Sequence, residues 1–108
     1  MSETEFLDLA ESTLTAIEAA LDRLNDEDVI DVECKRSGNV LEIEFIDNGT
    51  KIIVNSQAAM HELWVAAKSG GFHYKHIDGK WTNTRDGSEL MDALSKLASL
   101  QGGAEVTL

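Results

Sequence analysis

Apolar residues recur at steps of three and four along the start of the chain: Phe6, Leu9, Ala10, Leu14, Ile17, Leu21 and Leu24. That period predicts an amphipathic helix through about residue 24. Ser2-Glu3-Thr4-Glu5 precedes the run and has the form of a capping box, in which Ser and Glu satisfy each other's backbone N–H groups. The opposite stripe carries Asp8, Glu11, Thr15, Glu18 and Asp22. Beyond the polar turn Asn25-Asp26-Glu27-Asp28 the period drops to two. Ile30, Val32 and Cys34 alternate with Asp31, Glu33 and Lys35; after Ser37-Gly38, Leu41, Ile43 and Phe45 alternate with Glu42 and Glu44. Such alternation marks half-buried antiparallel strands. Asn48-Gly49 is a strong hairpin signal and leads into a strand over 51–55. Residues 63–67 and 72–77 read as two further strands broken at Gly70-Gly71, and Asp78-Gly79 turns the chain into a strand over 81–84. Asp86-Gly87-Ser88-Glu89 then opens a second helix with Leu90, Leu94 and Leu97 on its apolar face, and a short tail after Gly102-Gly103 has room to lie against the domain.

Helix, several strands and helix follow one another with only short connections, so the strands must pair antiparallel. The expected fold is α+β: a two-layer α/β sandwich in which the N- and C-terminal helices pack on one face of an antiparallel sheet of five to six strands. A single domain is expected over residues 1–108, and the second face of the sheet is left to solvent or to a partner.

Composition narrows the function. The 108 residues hold 20 acidic and 9 basic side chains, a formal net charge of −11. Phosphates would repel such a chain, so nucleic acid is excluded as a partner, and cations or a basic protein surface are favoured. The single cysteine, Cys34, excludes a disulfide framework, a Cys₄ zinc site and a self-contained iron–sulfur cluster. The opening MSETEFLDLAESTL has neither the basic nor the apolar region of a secretory signal, and no run is long enough to cross a membrane. With an unpaired thiol, this leads to the expectation of a cytoplasmic protein that binds no membrane. The charge is also segregated. Residues 1–33 hold 11 acids and one base, Arg23, whereas residues 34–108 hold nine acids and eight bases.

The candidate chemistry follows that segregation. Glu11, Glu18 and Asp22 on the helix, Asp26 in the turn, and Asp31 and Glu33 on the first strand would form one ridge if that strand is the sheet edge beside the helix. Carboxylates without imidazole or thiolate suit hard and borderline cations, including Fe²⁺ and Fe³⁺, and an exposed array binds them weakly. Asp26-Glu27-Asp28 lacks the spacing of a calcium-binding EF-hand. His73 and His76 lie three apart on one strand, so they point to opposite faces and cannot share an ion. Cys34 falls on the apolar side and reads as an inert thiol. Lys68-Ser69-Gly70-Gly71 lacks the rest of a phosphate loop, Asn48-Gly49-Thr50 is a hairpin turn, and no triad or Glu-x-x-His ferroxidase motif is present. The chain is therefore not expected to be an enzyme. Trp64 alternates with Leu63 and Val65, so it is either outward on the open sheet face or core with the phase reversed; periodicity leaves both open.

Asn55-Ser56-Gln57, Leu63-Trp64-Val65-Ala66, Gly70-Gly71-Phe72-His73-Tyr74, Trp81 and Asp86-Gly87 occur in one order across nearly the whole chain. Together with the acidic first helix and strand, this pattern resembles the frataxin family in its bacterial branch. The resemblance implies weak binding of iron, Fe²⁺ or Fe³⁺, by Glu11, Glu18, Asp22, Asp26, Asp31 and Glu33. It also implies a role in iron–sulfur cluster assembly, with the cysteine desulfurase and the scaffold protein as partners and a regulatory effect on the desulfurase. Asn55, Gln57, Trp64 and His73 then match a partner-binding sheet face, with Trp64 exposed. The alternative within the same family is an iron chaperone or store that delivers iron to the scaffold. Nothing in the pattern indicates an obligate dimer; a monomer is expected, with oligomerisation by iron as the alternative. Four positions depart from the family: Ala19 and Arg23 stand where other bacterial members carry acids, Leu7 replaces a His, and Glu62 replaces a Gln common in mitochondrial members. Arg23 is placed to pair with a neighbouring carboxylate.

Overall fold

A computed structural model describes residues 1–108. Helix α1 (Glu3–Asp26) begins at the capping box: Glu5 N–H donates to Ser2 Oγ at 3.1 Å, and Ser2 N–H donates to Glu5 Oε1 at 3.3 Å. It runs two residues past the predicted end and closes where Asp28 takes a left-handed φ of 57°. Six strands follow: β1 (Val32–Ser37), β2 (Val40–Phe45), β3 (Thr50–Gln57), β4 (Glu62–Ala67), β5 (Gly70–Ile77) and β6 (Lys80–Asn83), and the chain ends with α2 (Leu90–Gly102) and a short tail. Every strand pairs antiparallel with its sequence neighbour, in the order β1-β2-β3-β4-β5-β6. The meander leaves β1 and β6 as edges, and α1 lies beside β1.

One apolar cluster unites the layers. Phe6, Leu14, Ile17 and Leu21 of α1 and Leu90 and Leu94 of α2 bury against Leu41, Ile43, Ile52, Val54, Leu63, Val65 and Tyr74 of the sheet. These sheet residues share one parity, so both helices cover the same face. Trp81 is in this core: its Nε1–H donates to Thr13 Oγ1 at 3.0 Å, and its ring meets Phe6 edge-on. The tail packs back, with Val106 buried and its N–H donating to Ser99 Oγ at 2.9 Å. Near the end of α2 the backbone presses onto the sheet at Gly102, where a Cβ would lie 3.0 Å from Ile30 Cγ2 and 3.4 Å from Phe45 Cδ1.

Three local readings change. The first strand begins at Val32, not Ile30, because the chain is still turning; Val32 N–H is held by Asn25 Oδ1 at 3.1 Å. Gly70 and Gly71 do not interrupt the sheet but start β5, and Lys68-Ser69 makes the turn. A short 3₁₀ turn, Ala58–Met60, joins β3 to β4 and ends on His61 in the left-handed region, a conformation that apolar patterning does not announce.

Candidate functional site

The acids of α1 and β1 lie along one edge of the domain. Cys34, on the helix-facing side of β1, is half-buried, and the charges of Asp22, Glu18 and Glu33 all act on its thiol. The two helix carboxylates and the strand carboxylate thus belong to the same stretch of the edge. Glu33 has the opposite parity to Cys34, so it projects past the edge onto the open face, where it sits across from Glu44. The ridge therefore folds around the edge strand instead of facing one way. Glu42 and Glu44 of β2 extend it on the open face, with Lys51 Nζ 3.4 Å from Glu42 Oε1.

Its remaining members are dispersed. Glu11 accepts from Arg36 Nη2, and Arg36 is anchored in turn by donating from Nε to the Gly38 carbonyl at 2.9 Å. Asp31 lines an open depression of about 490 Å³ together with Asp28 and Asp47, below the C-terminal end of α2. Asp26 is exposed on the last turn of α1, where the negative helix end adds to carboxylate repulsion. Arg23 pairs with Glu27 at 3.9 Å, an acid outside the candidate set, and Leu7 and Ala19 are exposed. No three ligating side chains close around one point. The array is open, carboxylate-only and repulsive.

The thiol beneath it responds to that field. Burial pushes the Cys34 pKa up to about 12, and the carboxylates of Asp22, Glu18 and Glu33 add to the effect. Between the ordinary thiol value and the raised one, the folded chain keeps a proton that the unfolded chain loses. Native stability thus falls as pH rises from about 9 towards about 12. In denaturant titrations across that range, Cys34→Ala flattens the slope; an unchanged slope contradicts the assignment. At pH 8 the native thiol resists alkylation and reacts once the protein is unfolded.

The open face carries the second group. Register aligns Val40, Asn55, Trp64 and His73 as successive cross-strand neighbours on β2 to β5. Trp64 is half-buried and faces away from the helices, which resolves its phase. Its ring stacks on His73 with centroids 4.3 Å apart and planes 5° apart. Gln57 lies in the adjoining row with Glu62 and Lys75. His73 and Lys75 share this face, whereas His76 turns inward and meets Trp81 edge-on at 5.1 Å. The face is acidic over β1 and β2 and carries cationic and aromatic groups over β4 to β6. Glu62 had no place among the candidates, yet it is only 4% exposed and its carboxylate meets the nitrogen edges of the Trp64 and His73 rings. Its sequence signals are its parity, two positions before Trp64, and its departure from the Gln of mitochondrial members.

A family description, the frataxin-like domain, matches residues 1–104. The chain belongs to the frataxin family. Relatives named iron-sulfur cluster assembly protein CyaY include that of Janthinobacterium sp. strain Marseille, 67% identical over 108 residues, which span all of this chain and 96% of the relative. The CyaY protein of Cupriavidus metallidurans is 55% identical over the same share of this chain and 96% of its own. Among solved structures, the frataxin of Psychromonas ingrahamii superposes with a TM-score of 0.86 at 34% identity, covering 99% of this chain and 97% of that one. A ferrous complex of trimeric frataxin from Saccharomyces cerevisiae shares the fold, with a TM-score of 0.73 at 24% identity over 87% of this chain and 85% of that one. The frataxin family is non-enzymatic. No helix of this frataxin-family chain is long and apolar enough to cross a membrane.

Proposed function

We propose that this chain is an iron-responsive regulator of iron–sulfur cluster assembly that docks on the cysteine desulfurase and its scaffold. The observation that carries the reading is the continuity of two surfaces: the acidic edge around Glu18, Asp22 and Glu33 runs into an open sheet face bearing Asn55, Gln57, Trp64 and His73. Acids steer a basic partner into register, and the stacked rings supply a desolvated contact beside them. Iron is the ligand of the edge, and the donor set fits it: carboxylate oxygens suit a hard cation, and the open geometry makes binding weak. Glu18, Asp22 and Glu33 would attract it as separate carboxylates along the edge, while the Glu11 carboxylate is already engaged by Arg36. Bound iron lowers the negative charge of the docking edge, so iron supply changes the strength of docking without redox chemistry. The half-buried, neutral Cys34 thiol fits a reducing cytoplasm. The names of the relatives and the family membership support the pathway.

Backbone amide signals test this directly. Titration with Fe²⁺ broadens amides clustered over residues 18–33, and titration with the desulfurase shifts these together with residues 55–73. Broadening spread evenly over the surface would remove iron from the reading, and desulfurase shifts confined to the α2 side would remove the docking face.

A further inference from the structure

Glu62 is a charged residue buried on the wrong side of the sheet. It belongs to the open face by parity, yet it is only 4% exposed. Its Oε1 accepts from Trp64 Nε1–H at 2.8 Å and lies 3.5 Å from His73 Nδ1, while Oε2 lies 3.9 Å from Lys75 Nζ. One carboxylate thus faces three potential donors on two adjacent strands, and no buried side-chain nitrogen or oxygen in the protein lacks a partner. Glu62 is the acceptor of this part-buried indole N–H, and losing the partner of a shielded donor is costly. An indole on an open sheet otherwise has several rotamers available, and ordering it on binding weakens a contact.

We propose that Glu62 is the positioning residue of the sheet-face contact. It draws the Trp64 indole and the His73 imidazole onto one acceptor, so that the two rings form a single pre-ordered platform before the partner arrives. The docked partner meets the outer side of the stack and the Lys75 ammonium, and Glu62 itself touches nothing but this chain. The proposal rests on the reading of this face as the desulfurase-binding surface.

The test compares Glu62→Gln, which keeps a carbonyl acceptor in place, with Glu62→Met and Glu62→Leu, which remove it. In the free protein, the Trp64 indole N–H signal moves upfield and exchanges with solvent faster in the two apolar variants but holds in Glu62→Gln. Affinity for the cysteine desulfurase falls about tenfold in the apolar variants and stays within about threefold in Glu62→Gln. Thermal unfolding of each free variant separates a loss of fold from a loss of position. Parent-like binding by the apolar variants, when Trp64→Arg does not bind, overturns the positioning role alone. Equal weakening in Glu62→Gln also overturns it, since the charge and not the acceptor would then matter. Parent-like binding by Trp64→Arg as well removes the sheet-face reading, and the proposal falls with it.

Discussion

Trp64→Arg weakens binding to the cysteine desulfurase on the order of 100-fold, about 2.7 kcal/mol. Trp64 stands at the middle of the aligned row, flanked by Asn55 on β3 and His73 on β5. Aromatic side chains in such central positions carry a disproportionate share of interface energy, because they bury much area with few rotamers to order. Arg at this position removes the stacking surface beside His73 and sets a further cation near Lys75. The fold survives the change: Leu63 and Val65, the buried neighbours of Trp64 on β4, face the other way. Calorimetric titration of the desulfurase, with thermal unfolding of the free variant as control, reads the effect. Affinity within threefold of the parent defeats the assignment of the face.

The double reversal Glu18→Lys, Asp22→Lys acts on the other half of the surface. Both residues, with Glu33, act on the Cys34 thiol, so the change moves four units of charge on one stretch of the edge. Opposed like charges at an interface cost several kcal/mol, so affinity for a basic partner falls on the order of 100-fold at low ionic strength. The loss is in the association rate first, and it shrinks as salt screens the field. Stopped-flow association at several salt concentrations gives the result. Equal rates for parent and variant at low salt would show that the edge does not steer docking. The two halves are thus separable: Trp64→Arg changes dissociation with little salt dependence, and the double reversal does the reverse.

The architecture was legible because the periods are clean. Seven apolar residues at helical spacing in α1, and strict alternation through β1 and β2, each point to one buried face, and the core follows. Composition placed the acids within the first third of the chain, but one-dimensional spacing treats them as a single stripe. The sheet edge divides them. Glu33 turns onto the open face by parity, Glu11 is claimed by Arg36 from 25 positions away, and Asp31 joins Asp28 and Asp47 in a different depression. Long-range pairs of this kind leave no local pattern. Trp64 illustrates the same point, since alternation alone allowed either phase; the family resemblance pointed outward, and the burial of Leu63 and Val65 decides it. Glu62 was hidden for a further reason. An acid on an alternating strand reads as solvent-facing, and its partners, the ring nitrogens of Trp64 and His73 and the Lys75 ammonium, come together only in the folded sheet.

Strand β1 ends the sheet, so its outer N–H and C=O groups have no strand beside them. An unpaired edge is a template onto which another chain can add. Here the approach to that edge is lined by Glu18, Asp22 and Glu33, and two copies meeting edge to edge bring these carboxylates together. The acids proposed to attract a cation therefore also oppose the pairing of two copies at this edge. Whatever neutralises them loosens both constraints at once, which ties the protein's solubility as separate molecules to the ion supply it is proposed to sense.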